Sequence, residues 1–137
     1  NSARVMKEPP PATKAQQKLE KEFERRVLDL QRVAKQLQGM QESLEKNGMT
    51  MGEGERRNKE REFNELNRDL QRKQREFRED LNQRRNEELA GVLDRANKTI
   101  KQIAEAEKYD IIFQEAVYAS PRIDITDKVI KALTEEK

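Results

Sequence analysis

A chain of 137 residues in which 41% of the side chains are charged and only 33% hydrophobic holds too little apolar material for one compact core. Its 29 bases nearly cancel its 27 acids, spread as 10 and 7 over residues 1–49, 11 and 11 over 50–88, and 8 and 9 over 89–137. It therefore has neither the large net charge of a disordered chain nor the clustered basic face of a nucleic-acid binder. No run approaches the roughly 18 apolar residues of a membrane span, and the absence of Cys rules out a disulfide framework and thiol chemistry.

The chain opens on Asn1 instead of Met, so the lack of a leader says nothing about its compartment. Glu8-Pro9-Pro10-Pro11 is a stop, since proline removes a donor and keeps its predecessor extended. A first helix is expected to begin at Thr13-Lys14-Ala15-Gln16, which has capping-box form. Leu19, Phe23, Val27, Leu30, Ala34, Leu37, Met40 and Leu44 then recur about every 3.6 residues, one apolar stripe. Gly39 is a soft point within it, and Asn47-Gly48 ends it, with Gly48 suited to a left-handed helix stop.

Gly48, Gly52 and Gly54, with Met49 and Met51 between them, predict a turn, and Thr50-Met51-Gly52-Glu53 repeats the capping-box form. The second helix carries Phe63, Leu66, Leu70, Phe77, Leu81, Leu89, Val92, Ala96, Ile100 and Ile103 on one stripe, with polar Gln74 and Arg85 in its middle. Two such helices joined by a short turn are antiparallel neighbours, forming an arm of roughly 50 Å at 1.5 Å per residue. Pairs such as Glu22 with Arg26 and Asp80 with Arg84 sit four residues apart, so most of the charge is a solvated helix face.

After Lys108 the period changes to 2, predicting one strand over Tyr109–Phe113 and another over Ala116–Ala119. A two-stranded hairpin is marginal in water, so this small body must recruit other strands or another subunit. Thr126 is placed to cap a short last helix bearing Val129, Ile130 and Leu133. The expected class is α+β, predominantly α: a long antiparallel helical hairpin on a small β-body.

The strand Tyr109-Asp110-Ile111-Ile112-Phe113, the strand Ala116-Val117-Tyr118-Ala119, the run Arg84-Arg85-Asn86-Glu87-Glu88-Leu89 and the ending Ile123-Asp124-Ile125-Thr126-Asp127-Lys128-Val129-Ile130 follow a proline break and a helical hairpin. In that order, over essentially the whole chain, they resemble the Skp (OmpH-like) family of periplasmic chaperones. The resemblance implies homotrimers whose strands pool into a β-body, with helical arms around a cavity that holds unfolded outer-membrane proteins without ATP. It also implies a strand upstream of Asn1, and a periplasmic location. Residues 1–12 then form the N-terminal part of the body and the proline break, 13–104 the arm with its tip at 47–54, and 105–137 the strand pair and last helix.

On that reading Met40, Met49 and Met51 near the tip, with Phe63 and Phe77 along the arm, are the candidates for client contact, since flexible thioethers suit promiscuous apolar surfaces. Arg72, Lys73, Arg75, Arg78, Arg84 and Arg85 are the candidates for contact with lipopolysaccharide or other anionic head groups, set against a plain solvated face paired to neighbouring acids. Ile111, Ile112, Phe113, Val117, Tyr118, Ile125, Val129, Ile130 and Leu133 are expected in the core or the subunit interface. No His, Cys or phosphate-cradling glycine loop offers a catalytic site, and no cofactor or metal is expected. The alternatives are a coiled-coil scaffold and a prefoldin-like cytosolic chaperone; in prefoldins, however, the strands lie between the two helices.

Overall fold

The computed structural model describes residues 1–136, as four helices: α1 (Ser2–Val5), α2 (Pro10–Asn47), α3 (Glu53–Glu107) and α4 (Thr126–Glu135). The chain divides into two compact units, one made of Glu22–Asn82 and the other of Asn1–Lys21 with the chain from Gln83 onward.

Helix α2 starts at Pro10, three residues before the capping box. The first N–H groups of a helix have no partner in it, so proline loses nothing there and its fixed φ suits the first turn. The Pro9 carbonyl accepts from the amides of Ala12 and Thr13 at 3.0 and 3.2 Å, while the Thr13 hydroxyl donates to the Pro10 carbonyl at 3.1 Å instead of capping. At the turn the Thr50 hydroxyl likewise donates, to the Asn47 carbonyl at 2.9 Å. Helix α3 is favoured instead by Glu53 and Glu55, acids at the positive end of its dipole.

Helix α2 ends where the sequence indicated, but no glycine has a positive φ. The Gly48 amide donates to the Leu44 carbonyl at 2.9 Å. A Cβ at residue 48 would collide with that same backbone oxygen, so glycine is needed for close approach, not for handedness. Gly48→Ala should cost about 1–3 kcal/mol by overpacking; a urea titration that moves by less than about 0.5 kcal/mol would contradict this. Helix α3 stops without glycine: Lys108 itself takes φ 61°, and the Tyr109 amide closes on the Ala104 carbonyl at 2.9 Å.

Within the Glu22–Asn82 unit, Val33, Leu37 and Leu70 are buried, with Leu30, Phe63 and Leu66 packed against them. The shielded positions of α2 here include the series Phe23, Arg26, Leu30, Val33, Leu37, Met40 and Leu44, alternately three and four residues apart, with Asp29 and Ser43 beside it. This is the 3.5-residue repeat that keeps a helix facing a long partner. The 3.6-residue stripe drifts off it, onto Val27, which is 39% exposed, and onto exposed Ala34. On α3 the matching series is Lys59, Phe63, Leu66, Leu70, Lys73 and Phe77, with Asn67, Asp69 and Leu81 also shielded. In the middle of this seam the polar residue is Lys73, not Gln74, which is exposed.

In the other unit, α1 and α4 pack with the C-terminal part of α3 around Val5, Ala96, Val129 and Leu133, flanked by Ile100, Ile103, Ile125 and Ile130. Arg85 is exposed, and its neighbour Arg84 is the half-buried one.

The β-body is not formed, and the α+β class is corrected: among the described residues there is no strand. Residues 109–119 lack a ladder: the Tyr109 amide closes on the end of α3, and the next backbone bonds along the chain are turn bonds from the amides of Ile123 and Asp124 to the Ser120 carbonyl. The alternation that suggested strands requires one face to be covered. Here Ile111, Phe113, Val117 and Tyr118 are each at least 70% exposed, so within one chain the pattern has no surface to pair with or pack on.

Candidate functional site

In the Glu22–Asn82 unit, α2 and α3 line a groove of about 850 Å³ toward their connecting turn. Gln36, Gly39, Met40, Ser43 and Leu44 line it from α2, and Lys59, Glu62, Glu65, Leu66 and Asp69 from α3. Gly39 leaves its wall open, since nothing lies within 4 Å of where a Cβ would stand. Met40 forms part of the wall, Met51 is half-buried in the turn, and Met49 is 99% exposed. Phe63 is half-buried against the helix–helix core. Phe77 meets Phe23 edge to face, ring centroids 5.6 Å apart. Of the five client-contact candidates, then, Met49 is wholly presented to solvent, Met40 opens on the groove, and the two phenylalanines hold the helices together.

Arg26 was not a sequence candidate. Its guanidinium lies 5.4 Å from the Phe23 ring and 5.5 Å from the Phe77 ring, and it donates to Asp80 Oδ2 at 2.8 Å. Aromatic stacking plus a carboxylate makes this arginine a member of the seam. The available signal was the strict repeat through Leu19, Phe23, Leu30, Val33, Leu37, Met40 and Leu44, whose one gap falls on residue 26.

The basic candidates divide by partner. Arg72 pairs with Asp69, and Lys73 reaches both Asp29 and Asp69 at 3.7 Å. Asp29 also accepts from Arg32 at 2.8 Å; Arg32 first, then Lys73, hold its carboxyl below the usual range. In the other unit, Arg84 donates to Glu87 at 2.6 Å and to Glu88 at 2.9 Å. Glu88 is held low first by Arg84 and then by Lys18, 3.2 Å away. Arg75, Arg78 and Arg85 are exposed and form no ion pair among the described residues.

The core and interface candidates also divide. Val129 and Leu133 are buried, Ile125 and Ile130 pack on them, and Ile112 is half-buried. Ile111, Phe113, Val117 and Tyr118 stand uncovered. Thr126 is the first residue of α4 rather than its cap: its amide and hydroxyl donate to Asp124 Oδ1 at 2.9 and 2.5 Å.

Those bonds, the hydroxyl's first, hold the Asp124 carboxyl below the usual carboxylate range. A depressed folded value means stabilisation that is complete at neutral pH and is lost as pH falls through the carboxylate range toward that value. The melting temperature should therefore fall between pH 7 and about pH 3. Asp124→Asn should flatten part of that slope; an unchanged slope would show that Asp124 does not contribute.

Among the described residues, no acidic cluster could hold a metal, and no helix is long and apolar enough to cross a membrane.

A family model described as outer membrane protein (OmpH-like) matches residues 1–133. The chain is 30% identical over 133 residues to "Chaperone protein Skp" of Photorhabdus laumondii, covering 96% of this chain and 81% of that one. Proteins of the same name from Photorhabdus luminescens and Yersinia enterocolitica are 31% and 29% identical, with the same shares covered. No solved structure matches.

Proposed function

The chain belongs to the OmpH-like outer membrane protein family, and from that premise we propose that it is a periplasmic chaperone that holds unfolded outer-membrane proteins without ATP and keeps them from aggregating. The observation that carries this is the similarity, across 96% of the chain, to relatives whose names are those of chaperones. Physical features support it. The helix pair in the Glu22–Asn82 unit has charged residues in its seam, an open groove of mixed polarity and an exposed thioether at its turn. Such a surface offers many weak contacts and no single fixed pocket, which suits clients that differ in sequence. With relatives named as chaperones and no nucleophile–base pair in view, no reaction is proposed.

The working form is a homotrimer in this reading. Ile111, Phe113, Val117 and Tyr118 expose four large apolar side chains within eight residues, a patch that monomers rarely leave bare. Copies of the same chain cover it, and the arms over 13–104 surround the client. Arg75, Arg78 and Arg85 provide contact with anionic lipid head groups such as those of lipopolysaccharide.

A urea-unfolded outer-membrane β-barrel diluted into buffer with the chain, and without nucleotide, should stay soluble. Turbidity rising as fast as in its absence would refute holding. Light scattering should give the mass of three chains; a stable monomer at micromolar concentration would refute the trimer.

A further inference from the structure

We propose that Met49 is a site of reversible sulfur oxidation that lowers the chain's hold on clients without loosening its fold. The proposal rests on the holding function above and adds its regulation. The chain has no cysteine, so its sulfur redox chemistry is confined to four methionines. Their surroundings differ sharply. Met49 is 99% exposed, Met6 and Met51 are half-buried, and Met40 is a half-buried wall of the groove. Exposure governs which thioether meets an oxidant first, so the order of reaction is set by the fold, with Met49 leading.

The consequence follows from the same exposure. A side chain that packs on nothing contributes no burial to lose, so converting it to a polar sulfoxide leaves stability where it was. What changes is the surface: a flexible apolar group suited to promiscuous contact becomes a strong hydrogen-bond acceptor that prefers water. With hypochlorous acid as oxidant, the sulfur lone pair attacks oxygen, an S–O bond forms and the O–Cl bond breaks. Sulfur loses two electrons, chloride leaves, and the hydroxyl proton passes to water. A dithiol reductase reverses the step, taking the oxygen as water and becoming a disulfide. Residue 49 lies in the turn between α2 and α3, outside both helices, where an enzyme can reach it.

The test treats the assembled chain with a small excess of hypochlorous acid and follows each methionine by peptide mass mapping, the melting temperature, and retention of a urea-unfolded β-barrel client. Met49 should gain oxygen roughly tenfold faster than Met40, the melting temperature should hold, and retention should drop at least about twofold and return after treatment with methionine sulfoxide reductase. In Met49→Leu, retention after oxidation divided by retention before should stay near one. Equal oxidation of Met40 and Met49, a fall in melting temperature that tracks Met49 oxidation, or equal losses in wild type and Met49→Leu would each overturn the proposal. If the unoxidised chain fails to hold the client, the holding function fails, while the mapping still decides whether Met49 is the preferred site.

Discussion

Leu133→Ala is expected to destabilise the unit that contains α4 by about 3 kcal/mol, within the range for emptying a buried leucine site. Leu133 is 1% exposed and shares its core with Val129 one turn earlier on α4, Val5 of α1 and Ala96 of α3. Two of the helices that meet there are short: α1 has 4 residues and α4 has 10. Helices of that length do not persist alone in water, so packing must hold them. Filling the gap by relaxation would need α4 to slide against α3 and α1. That movement is opposed by the ion pair between Lys128 and Glu107 and by the bridge from Arg4 to Asp127 at 2.9 Å. Amide exchange in α4 should accelerate about a hundredfold or more, the equivalent of that free energy. Acceleration below about fivefold would mean that α4 is held by something other than this core.

The second large effect is expected in the Glu22–Asn82 unit, where Phe23→Ala should cost about 3 kcal/mol or more. Phe23 is 6% exposed and supplies both the edge-to-face partner of Phe77 and one of the two rings around Arg26. Its loss removes apolar contact and also opens a stacked guanidinium to water. Arg26→Lys keeps the charge near Asp80 but gives up the planar stacking, and should cost about 1 kcal/mol. A urea titration checks both variants. If Arg26→Lys were as damaging as Phe23→Ala, the ion pair and not the aromatic sandwich would dominate this part of the seam.

Much of this was legible in the sequence, for identifiable reasons. The two long helices follow from spacing that survives either a 3.5 or a 3.6 period, and the tip follows from three glycines within seven residues. The finer register was not legible from an apolar stripe. Arg26, Lys73 and Arg84 occupy shielded positions through stacking and carboxylate partners, and a count of hydrophobic residues cannot register them. The stripe therefore slid one residue, to Val27 and Ala34 on α2 and to Gln74 and Arg85 on α3.

The capping boxes misled because a Thr hydroxyl can donate backward to a carbonyl as easily as it accepts, as Thr13 and Thr50 both do. The strands misled because alternation reports an extended chain with two unlike faces and says nothing about a neighbour to pair with. In Tyr109–Ala119 the unlike faces are present and the neighbour is absent. The family, by contrast, was recognisable from those same residues, since a resemblance depends on their identity and order and not on their hydrogen bonds.

Holding, as proposed for this chain, means keeping an unfolded outer-membrane protein in a soluble complex without nucleotide. The most direct measurement is size-exclusion chromatography with light scattering on the chain mixed with a urea-unfolded β-barrel client and diluted into nucleotide-free buffer. One peak containing both proteins is expected, with a mass equal to three chains plus one client. A client recovered in the pellet, with the chain eluting at its own mass, would contradict it.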